Sequence, residues 1–366
     1  MTTLPADADL RRSEHRREVF LRFYDFHTQF GTHPGLVYLI IPGLREKLEW
    51  SQEETLWFSF LNGCTQHPMT SLLLMQQAPS LAEADRLVAW LEHNVDRISV
   101  DTDRRYHRRA IPKAIDGYRQ MLAGQTATEF WAHQSEQGWQ SVWSAATSIP
   151  TFGRLSAWSF CDYLLCSGVP VEPSTLLLED RAGSRSHRNG LAIVAGRDDL
   201  DWHSSNPGFT GRYTDADLTM LAETGESLLE EARQRAHGQA HAPFINRLTL
   251  ESALCTYKSF HRPNRRYPNV YADMMHDRLL AFETTWGTDL TEVFWTLRSE
   301  HIPGDLRLED NPGDPGCVPM KQNWYRETGR VPMMSGMYAD MGCEFDDLVH
   351  AEAFGRFREP RQRDRA

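Results

Sequence analysis

Residues 180–190 (DRAGSRSHRNG) carry side chains suited to binding phosphate oxygens. Three arginines lie among glycines, serines and an asparagine, and no acidic residue occurs between Arg181 and Arg197. Guanidinium forks, hydroxyls and exposed backbone N–H groups all donate hydrogen bonds to phosphate. We therefore expect phosphate or pyrophosphate to bind here, with a solvated hairpin loop as the alternative. The candidate ligands are Arg181, Ser184, Ser186, Arg188 and Asn189.

A second basic segment, residues 258–266 (KSFHRPNRR), lies just before a predicted helix. Positive side chains attract anions, and the N-terminus of a helix does the same through its dipole and its unpaired N–H groups. We expect His261, Arg265 and Arg266 to contribute to a phosphate site.

The helix predicted over residues 269–286 places Arg278 in the middle of its apolar face. An arginine on a core-facing surface needs a partner, and Asp273 and Asp277 lie near enough on the same helix to orient it. Such carboxylates can also act as an acid, a base or Mg²⁺ ligands. We expect Asp273, Asp277 and Arg278 to be catalytic; the alternative is a buried structural Arg–Asp pair.

Residues 62–66 (NGCTQ) follow an aromatic-rich helix that is predicted to start at Ser51 and to end at Gly63. Asn62, Thr65 and Gln66 are predicted to bind a base edge or a carboxylate through hydrogen bonds. Cys64 would be a nucleophile only if its thiolate were stabilised. The alternative is a helix-capping loop that satisfies its own backbone.

Arginines on both sides of Tyr106 suit a nucleic-acid backbone, and the alternative is the solvated face of a helix. The whole chain has a net charge of -11, which argues against a protein that coats nucleic acid without regard to sequence. A local basic site is still compatible with that charge. The candidate DNA-backbone contacts are Arg104, Arg105, Arg108 and Arg109.

Helical patterns dominate the chain, with capping-box spacing at Ser51/Glu54, Ser80/Glu83, Thr126/Glu129 and Asp289/Glu292. Further helices are predicted over residues 14–30, 82–95, 112–122, 141–166, 215–237, 269–286 and 290–298. Strand-like runs are limited to residues 175–178 and 191–194. We expect a mainly α, compact multi-helix unit with an architecture like that of helical DNA glycosylases and at most one small β-hairpin.

One helical unit is expected over residues 14–355, with flexible tails at 1–13 and 356–366 and a sub-boundary near residue 124 or 238. Apolar runs are too short to span a bilayer and the N-terminus lacks a signal-peptide pattern, so a cytoplasmic location is expected. The six cysteines have neither zinc-site nor disulfide-framework spacing. Motifs of P-loop kinases, Rossmann dehydrogenases, zincins and α/β-hydrolases are absent from the sequence.

Five segments together resemble the phage amino acid:DNA transferase family, also described as α-glutamyl/putrescinyl thymine pyrophosphorylases. They are FLRFYDFHTQFGTHPGLVY (20–38), LWFSFLNGCTQHPMTS (56–71), GRLSAW (153–158), DRAGSRSHRNG (180–190) and YPNVYADMMHDRLLAFE (267–283). The resemblance implies an enzyme of thymine hypermodification. In such pathways a kinase places pyrophosphate on 5-hydroxymethyluracil in DNA, and the transferase displaces it with an amino acid, such as glycine, or with a polyamine.

For that reaction, positive charge must stabilise the leaving pyrophosphate, and Asp273 or Asp277 would take a proton from the amine. The base must leave the duplex, and Arg154 would clamp a carboxylate of the amino acid. A thiolate of Cys64 adding to C6 of the pyrimidine is the covalent alternative. The sequence assigns no cofactor, although Mg²⁺ would fit between pyrophosphate and a carboxylate. The residues expected to bind the base or the amino acid are Asn62, Thr65, Gln66, Arg154 and Tyr271.

The expected partners are double-stranded DNA with a flipped modified thymine, a free amino acid or polyamine, and a 5-hydroxymethyluracil DNA kinase; no membrane is involved. If a phage encodes the chain, the expected location is the host cytoplasm. Two other functions stay open: a non-catalytic helical DNA-binding accessory of such a kinase, and a helical DNA glycosylase. The accessory predicts a convex basic stripe without a deep pocket, and the glycosylase predicts abasic sites in DNA.

Overall fold

The computed structural model describes residues 13–30, 37–101, 104, 106–176, 185–201, 213–258 and 274–301. These residues form fourteen α-helices and four short 3-10 helices, and no strand occurs among them. The mainly α, multi-helix fold is therefore confirmed. The α-helices are α1 (Ser13–Phe30), α2 (Val37–Lys47), α3 (Gln52–Thr65), α4 (Pro68–Gln77), α5 (Ala84–Asn94), α6 (Ile111–Leu122), α7 (Ala127–Glu136), α8 (Trp139–Ser148), α9 (Arg154–Cys166), α10 (Arg185–Val194), α11 (Asp215–Arg235), α12 (Arg247–Tyr257), α13 (Met274–Trp286) and α14 (Glu292–His301).

Two of the four predicted capping boxes start α-helices. At α3 the Ser51 hydroxyl accepts from the backbone N–H of Glu54 at 3.2 Å, while the Glu54 carboxylate accepts from the Ser51 N–H at 2.8 Å. Thr126 starts α7 in the same way. Ser80, in contrast, makes no capping hydrogen bond, and Asp289 lies three residues before the first residue of α14.

The predicted hairpin is wrong, because residues 191–194 belong to α10. A Cβ on Gly190 would lie 2.5 Å from the backbone oxygen of Leu254, so this glycine lets α10 pack closely onto α12. The helix predicted over residues 141–166 is divided into α8 and α9 near Pro150, which lacks the N–H that a helix interior needs. Three further helices are not predicted at all: α2, α4 and α12.

The apolar side chains form two clusters. The larger one draws on α2 to α9, α13 and α14, and it includes the fully buried Trp131. The smaller one draws on α1, α10, α11 and α12. Helix α12 contributes to both, since Leu248 belongs to the first cluster and Leu250 to the second. No helix within the described residues is long and apolar enough to cross a membrane.

Candidate active site

Helix α9 carries polar side chains on two opposite faces. At about 100° per residue, Arg154, Trp158 and Asp162 share one face, and Ser156 and Tyr163 share the other. The first face makes polar contacts with α2 and α12. The second face lies toward the end of α3 and the start of α13. Each face belongs to a separate polar cluster.

Asp162 lies at the centre of the first cluster and is buried. The Tyr38 hydroxyl donates to its Oδ1 at 3.1 Å, and the Ser252 hydroxyl donates to its Oδ2 at 2.9 Å. Loss of hydration, with a smaller effect from the nearby Glu251, raises the pKa of Asp162 to about 8. The Asp162 carboxyl therefore keeps its proton at neutral pH.

Glu251 is the second carboxyl of this cluster. Its Oε1 accepts from both terminal nitrogens of Arg154, at 3.3 and 3.2 Å, and lies 3.1 Å from Nδ1 of His187. The other ring nitrogen of His187 lies 3.0 Å from the backbone oxygen of Leu176. Arg154, predicted to clamp a substrate carboxylate, thus binds a carboxylate of the protein itself. We call Tyr38, Arg154, Asp162, His187, Glu251 and Ser252 the carboxylate cluster.

The second cluster surrounds Arg278, whose Nη2 donates to Oδ2 of Asp101. The sequence predicted Asp273 or Asp277 as the partner of Arg278. The partner in the structure is Asp101, which lies outside α13. Within the part of the chain that the structure describes, the buried atoms without a hydrogen-bond partner include Nη1 of Arg278 on α13, the hydroxyl of Tyr163 on α9 and Nδ2 of Asn62 on α3.

Electrostatic contacts connect Tyr163, Asp101 and Arg278, and a backbone hydrogen bond joins the end of α3 to Asp101. Tyr163 interacts electrostatically with both Asp101 and Arg278. Asn62 lies on α3, whose last residue, Thr65, accepts the backbone N–H of Asp101 at 2.9 Å. We call Asn62, Asp101, Tyr163 and Arg278 the donor cluster.

Thr65 and Gln66 serve the end of α3, as the capping alternative predicted. The helix continues past Gly63 to Thr65, and Gln66 adopts the left-handed conformation there with φ 52. The Thr65 hydroxyl lies 2.6 Å from that of Ser71. Burial, assisted by Arg278, lowers the pKa of the adjacent His67 to about 3, so His67 is neutral.

Arg104 does not lie on a DNA-binding surface, which corrects its predicted role. It is fully buried and donates to the backbone oxygens of Cys64 at 3.0 Å and Thr151 at 2.9 Å, and to the hydroxyl of Ser156 at 2.9 Å. It therefore ties the end of α3 to the start of α9. Burial raises the pKa of the neighbouring Cys64 thiol to about 12, which disfavours the covalent alternative.

Arg108 and Arg109 remain near the surface, where both pair with Asp96 at 3.2 and 2.6 Å. Arg108 also donates to the backbone oxygen of Ile98 at 3.3 Å, while the Arg109 side chain is 74% exposed. Of the two, Arg109 is therefore better placed to reach a DNA backbone. Arg105 lies outside the described residues.

Arg188 and Asn189 occupy the N-terminal half of α10, next to His187, and both are buried. The Arg188 guanidinium lies over the ring of Tyr213 at 4.5 Å, and the Tyr213 hydroxyl, which donates to the backbone oxygen of Leu200 at 2.9 Å, lies 3.4 Å from Asn189 Oδ1. These two candidates are thus held side by side. The other candidates lie outside the described residues: Arg181, Ser184, His261, Arg265, Arg266, Tyr271, Asp273 and the side chains of Ser186 and Asp277.

Several residues of the two clusters were not singled out from the sequence. Asp101 and Tyr163 were not among the candidate residues. Glu251 lies on a helix that was not predicted. The role of a buried tyrosine hydroxyl or glutamate depends on neighbours that are distant in the sequence, so no local pattern indicated these residues. Among the described residues, no group of three or more His, Cys, Asp or Glu is arranged to hold a metal ion.

Comparison with known proteins identifies the family. Residues 41–266 match the model of the family described as amino acid:DNA transferase. A protein of Salmonella phage ViI named serinyltransferase is 31% identical over 301 residues, which cover 77% of this chain and 72% of the relative. No solved structure matches the chain. These matches favour the enzyme hypothesis over the accessory and the glycosylase, and the chain belongs to the amino acid:DNA transferase family, whose members transfer amino acids onto DNA.

Proposed function

We propose that the protein transfers an amino acid onto 5-(pyrophosphoryloxymethyl)uracil in DNA and releases pyrophosphate. The observation that carries the proposal is the family match over residues 41–266, which includes the arginine-rich start of α10. Arg188 and Asn189 are fixed there side by side against Tyr213. A guanidinium and an amide held in place near a helix N-terminus suit the oxygens of a leaving pyrophosphate.

In the proposed reaction the amine nitrogen attacks the exocyclic methylene carbon of the base. The new C–N bond forms as the C–O bond to pyrophosphate breaks, and the leaving oxygen keeps the electron pair. The nitrogen then gives one proton to a carboxylate, for which we propose Asp273 or Asp277. The pyrophosphate would be stabilised by Arg188 and Asn189 together with Arg181, Ser184, Ser186, His261, Arg265 and Arg266.

The DNA must present the modified base outside the duplex, because the methylene carbon has to reach these groups. We propose that Arg105, Arg108 and Arg109 bind the phosphate backbone and that Tyr271 stacks on the flipped base. A kinase acting on 5-hydroxymethyluracil in DNA would supply the substrate. The reaction would then take place where phage DNA is modified, in the host cytoplasm.

Mass spectrometry of nucleosides tests the proposal. Duplex DNA that carries the pyrophosphorylated base is incubated with the protein and with serine, glycine or putrescine, then digested. Serine is the first donor to test, because the phage relative is named a serinyltransferase. An amine-bearing thymidine together with released pyrophosphate supports the proposal. Unchanged substrate with all three donors overturns it.

A matched pair of arginine variants tests the role of α10. Arg188→Lys keeps the charge but loses the planar fork, so we expect kcat/KM to fall at least about tenfold. Arg197→Lys is the control, since the Arg197 side chain is 40% exposed and pairs with Asp199 at 2.7 Å. Equal activity of the two variants would remove Arg188 from the proposed pyrophosphate site.

A further inference from the structure

The donor cluster contains more hydrogen-bond donors than acceptors. Arg278 uses Nη2 to bind Asp101, but its Nη1 has no partner. The Tyr163 hydroxyl and Asn62 Nδ2 also have none, and each of the three atoms is inaccessible to solvent. Leaving a buried donor without a partner costs about 1 to 3 kcal/mol. The Arg278–Asp101 pair is partly buried, with side chains 15% and 24% exposed, and unpartnered donors in this region call for an explanation, which a bound ligand with acceptor oxygens would supply.

The chemistry of the three atoms limits the ligand. Nη1 of Arg278 and Nδ2 of Asn62 can only donate, and the Tyr163 hydroxyl donates as readily as it accepts. A ligand that satisfies them must present acceptor oxygens. A carboxylate does so, because it has two acceptor oxygens and no donor. The edge of a uracil base fits less well, since its N–H between two carbonyl groups would face donors.

We propose that the donor cluster binds the α-carboxylate of the amino acid that is transferred. Asn62 and Arg278 were candidate residues from the sequence, whereas Tyr163 is a new member and Asp101 is the residue that positions Arg278. The inference rests on the proposed function, because only that reaction uses a free amino acid. It also narrows the donor class, since a polyamine has no carboxylate to satisfy these atoms.

The location of the cluster agrees with this role. Arg104 ties the end of α3, which carries Asn62, to the start of α9, which carries Tyr163. The neighbouring His67 is neutral, because burial lowers its pKa to about 3. It therefore adds no second positive charge beside Arg278 for the carboxylate of the amino acid to bind. The donor cluster therefore offers a single guanidinium, held on one side by Asp101, to a single carboxylate.

Binding measurements on the protein separate this inference from the proposed function. Isothermal titration calorimetry, with and without unmodified duplex DNA, compares serine with ethanolamine and glycine with methylamine. Each pair differs only in the carboxylate. We expect the amino acid to bind at least about tenfold more tightly than its decarboxylated counterpart, as for the loss of a charge-assisted hydrogen bond. The binding measurement does not require turnover, so it can be interpreted even if the transfer reaction is not observed.

Two variants locate the binding site. Tyr163→Phe removes one hydroxyl that has no protein partner, and Arg278→Lys removes the guanidinium fork while keeping the charge. Both are expected to weaken amino-acid binding about tenfold and to leave amine binding unchanged. Tyr118→Phe is the matched control, because the Tyr118 hydroxyl already accepts from Trp131 at 3.0 Å. We expect that variant to bind amino acids as the parent does.

Three results would overturn the inference. The first is equal binding of each amino acid and its decarboxylated counterpart. The second is the absence of any amino-acid binding in both conditions. The third is unchanged binding in Tyr163→Phe, a variant that we expect to fold because the lost hydroxyl has no partner, so that it reports on the site even if Arg278→Lys fails to fold. A product seen by mass spectrometry alongside any of these would place the amino acid elsewhere in the same enzyme.

Discussion

The two faces of α9 differ in how completely their polar groups are paired. In the carboxylate cluster, Asp162 accepts two hydroxyl hydrogen bonds and Glu251 accepts the Arg154 guanidinium. Within this cluster as the structure describes it, only His187 Nδ1 and Glu251 Oε2 lack a hydrogen bond, and His187 Nδ1 lies 3.1 Å from Glu251 Oε1. In the donor cluster, by contrast, three different side chains each keep an atom without a partner.

This difference separates a structural function from a binding function. Polar and charged groups that are paired inside the protein hold α9, α10 and α12 together, and removing one of them leaves another buried without compensation. Donors that are not matched reduce the stability of the ligand-free protein and gain hydrogen bonds when a ligand binds. The carboxylate cluster should therefore govern stability, and the donor cluster should govern ligand affinity.

The largest expected effect is the loss of Glu251. Glu251→Leu removes the carboxylate that both Arg154 and the fully buried His187 contact, so the free energy of unfolding should fall by about 3 to 5 kcal/mol. Urea denaturation measures this change in the free energy of unfolding. The control Glu226→Leu removes a carboxylate that is 44% exposed from a pair with Arg247, and should cost less than about 1 kcal/mol. Similar costs for both variants would contradict a structural role for the carboxylate cluster.

Asp162 should give a smaller, pH-dependent effect. Its pKa is raised to about 8 in the folded protein, while an unfolded chain has the ordinary value near 4. Between these values the unfolded chain loses the proton and the folded protein keeps it, so the parent loses stability as pH rises and levels off above about pH 8. The variant Asp162→Asn has no titrating carboxyl at this position, so it should not show this loss of stability with rising pH.

Denaturation of the parent and Asp162→Asn at pH 5 and pH 8 measures that difference. Linkage gives about 1.4 kcal/mol per pH unit as an upper limit, and we expect the variant to gain about 2 to 3 kcal/mol relative to the parent across this range. A difference between the two proteins that does not change with pH would mean that Asp162 is already ionised at pH 5 in the folded state.

Arg104 should give the next effect, although the sequence places it in the same basic stretch as Arg109. Arg104→Lys loses several of the bonds to Cys64, Thr151 and Ser156 and leaves buried backbone oxygens without donors, at a cost of about 2 kcal/mol. Arg109→Lys should change the unfolding free energy by less than about 0.5 kcal/mol, because that pair is exposed. For DNA affinity we expect the reverse, with only Arg109→Lys reducing it. Equal stability of the two variants would show that Arg104 is not a structural residue.

The sequence predicted what depends on local pattern. Ser51 and Thr126 start helices because a capping box involves only four consecutive residues. The identification of α10 failed because arginine, serine and glycine favour loops, whereas the helix forms against α12 through a close approach at Gly190. Tertiary packing there overrides local propensity.

For the candidate site, the sequence identified residues better than it identified their partners. Arg278 was expected to pair with an acid, and it does, but Asp101 lies 177 positions away in the chain. Asn62 was singled out for its amide, and its Nδ2 has no partner in the structure. Arg104 was misread because a buried arginine whose hydrogen-bond acceptors are backbone oxygens leaves no sequence pattern.

The smallest effect is the most direct test of the comparison, because the same chemical change should act with opposite sign at two positions. Tyr118→Phe removes an acceptor and leaves the buried N–H of Trp131 without a partner, so it should cost about 1 to 2 kcal/mol. Tyr163→Phe removes a buried hydroxyl that has no partner, so it should leave stability unchanged or raise it by up to about 1 kcal/mol. Thermal unfolding of the ligand-free proteins measures both. If Tyr163→Phe is as damaging as Tyr118→Phe, its hydroxyl is part of the protein's own hydrogen bonding and the distinction between the two faces of α9 fails. If the signs differ, the hydroxyl is held in place for something other than folding.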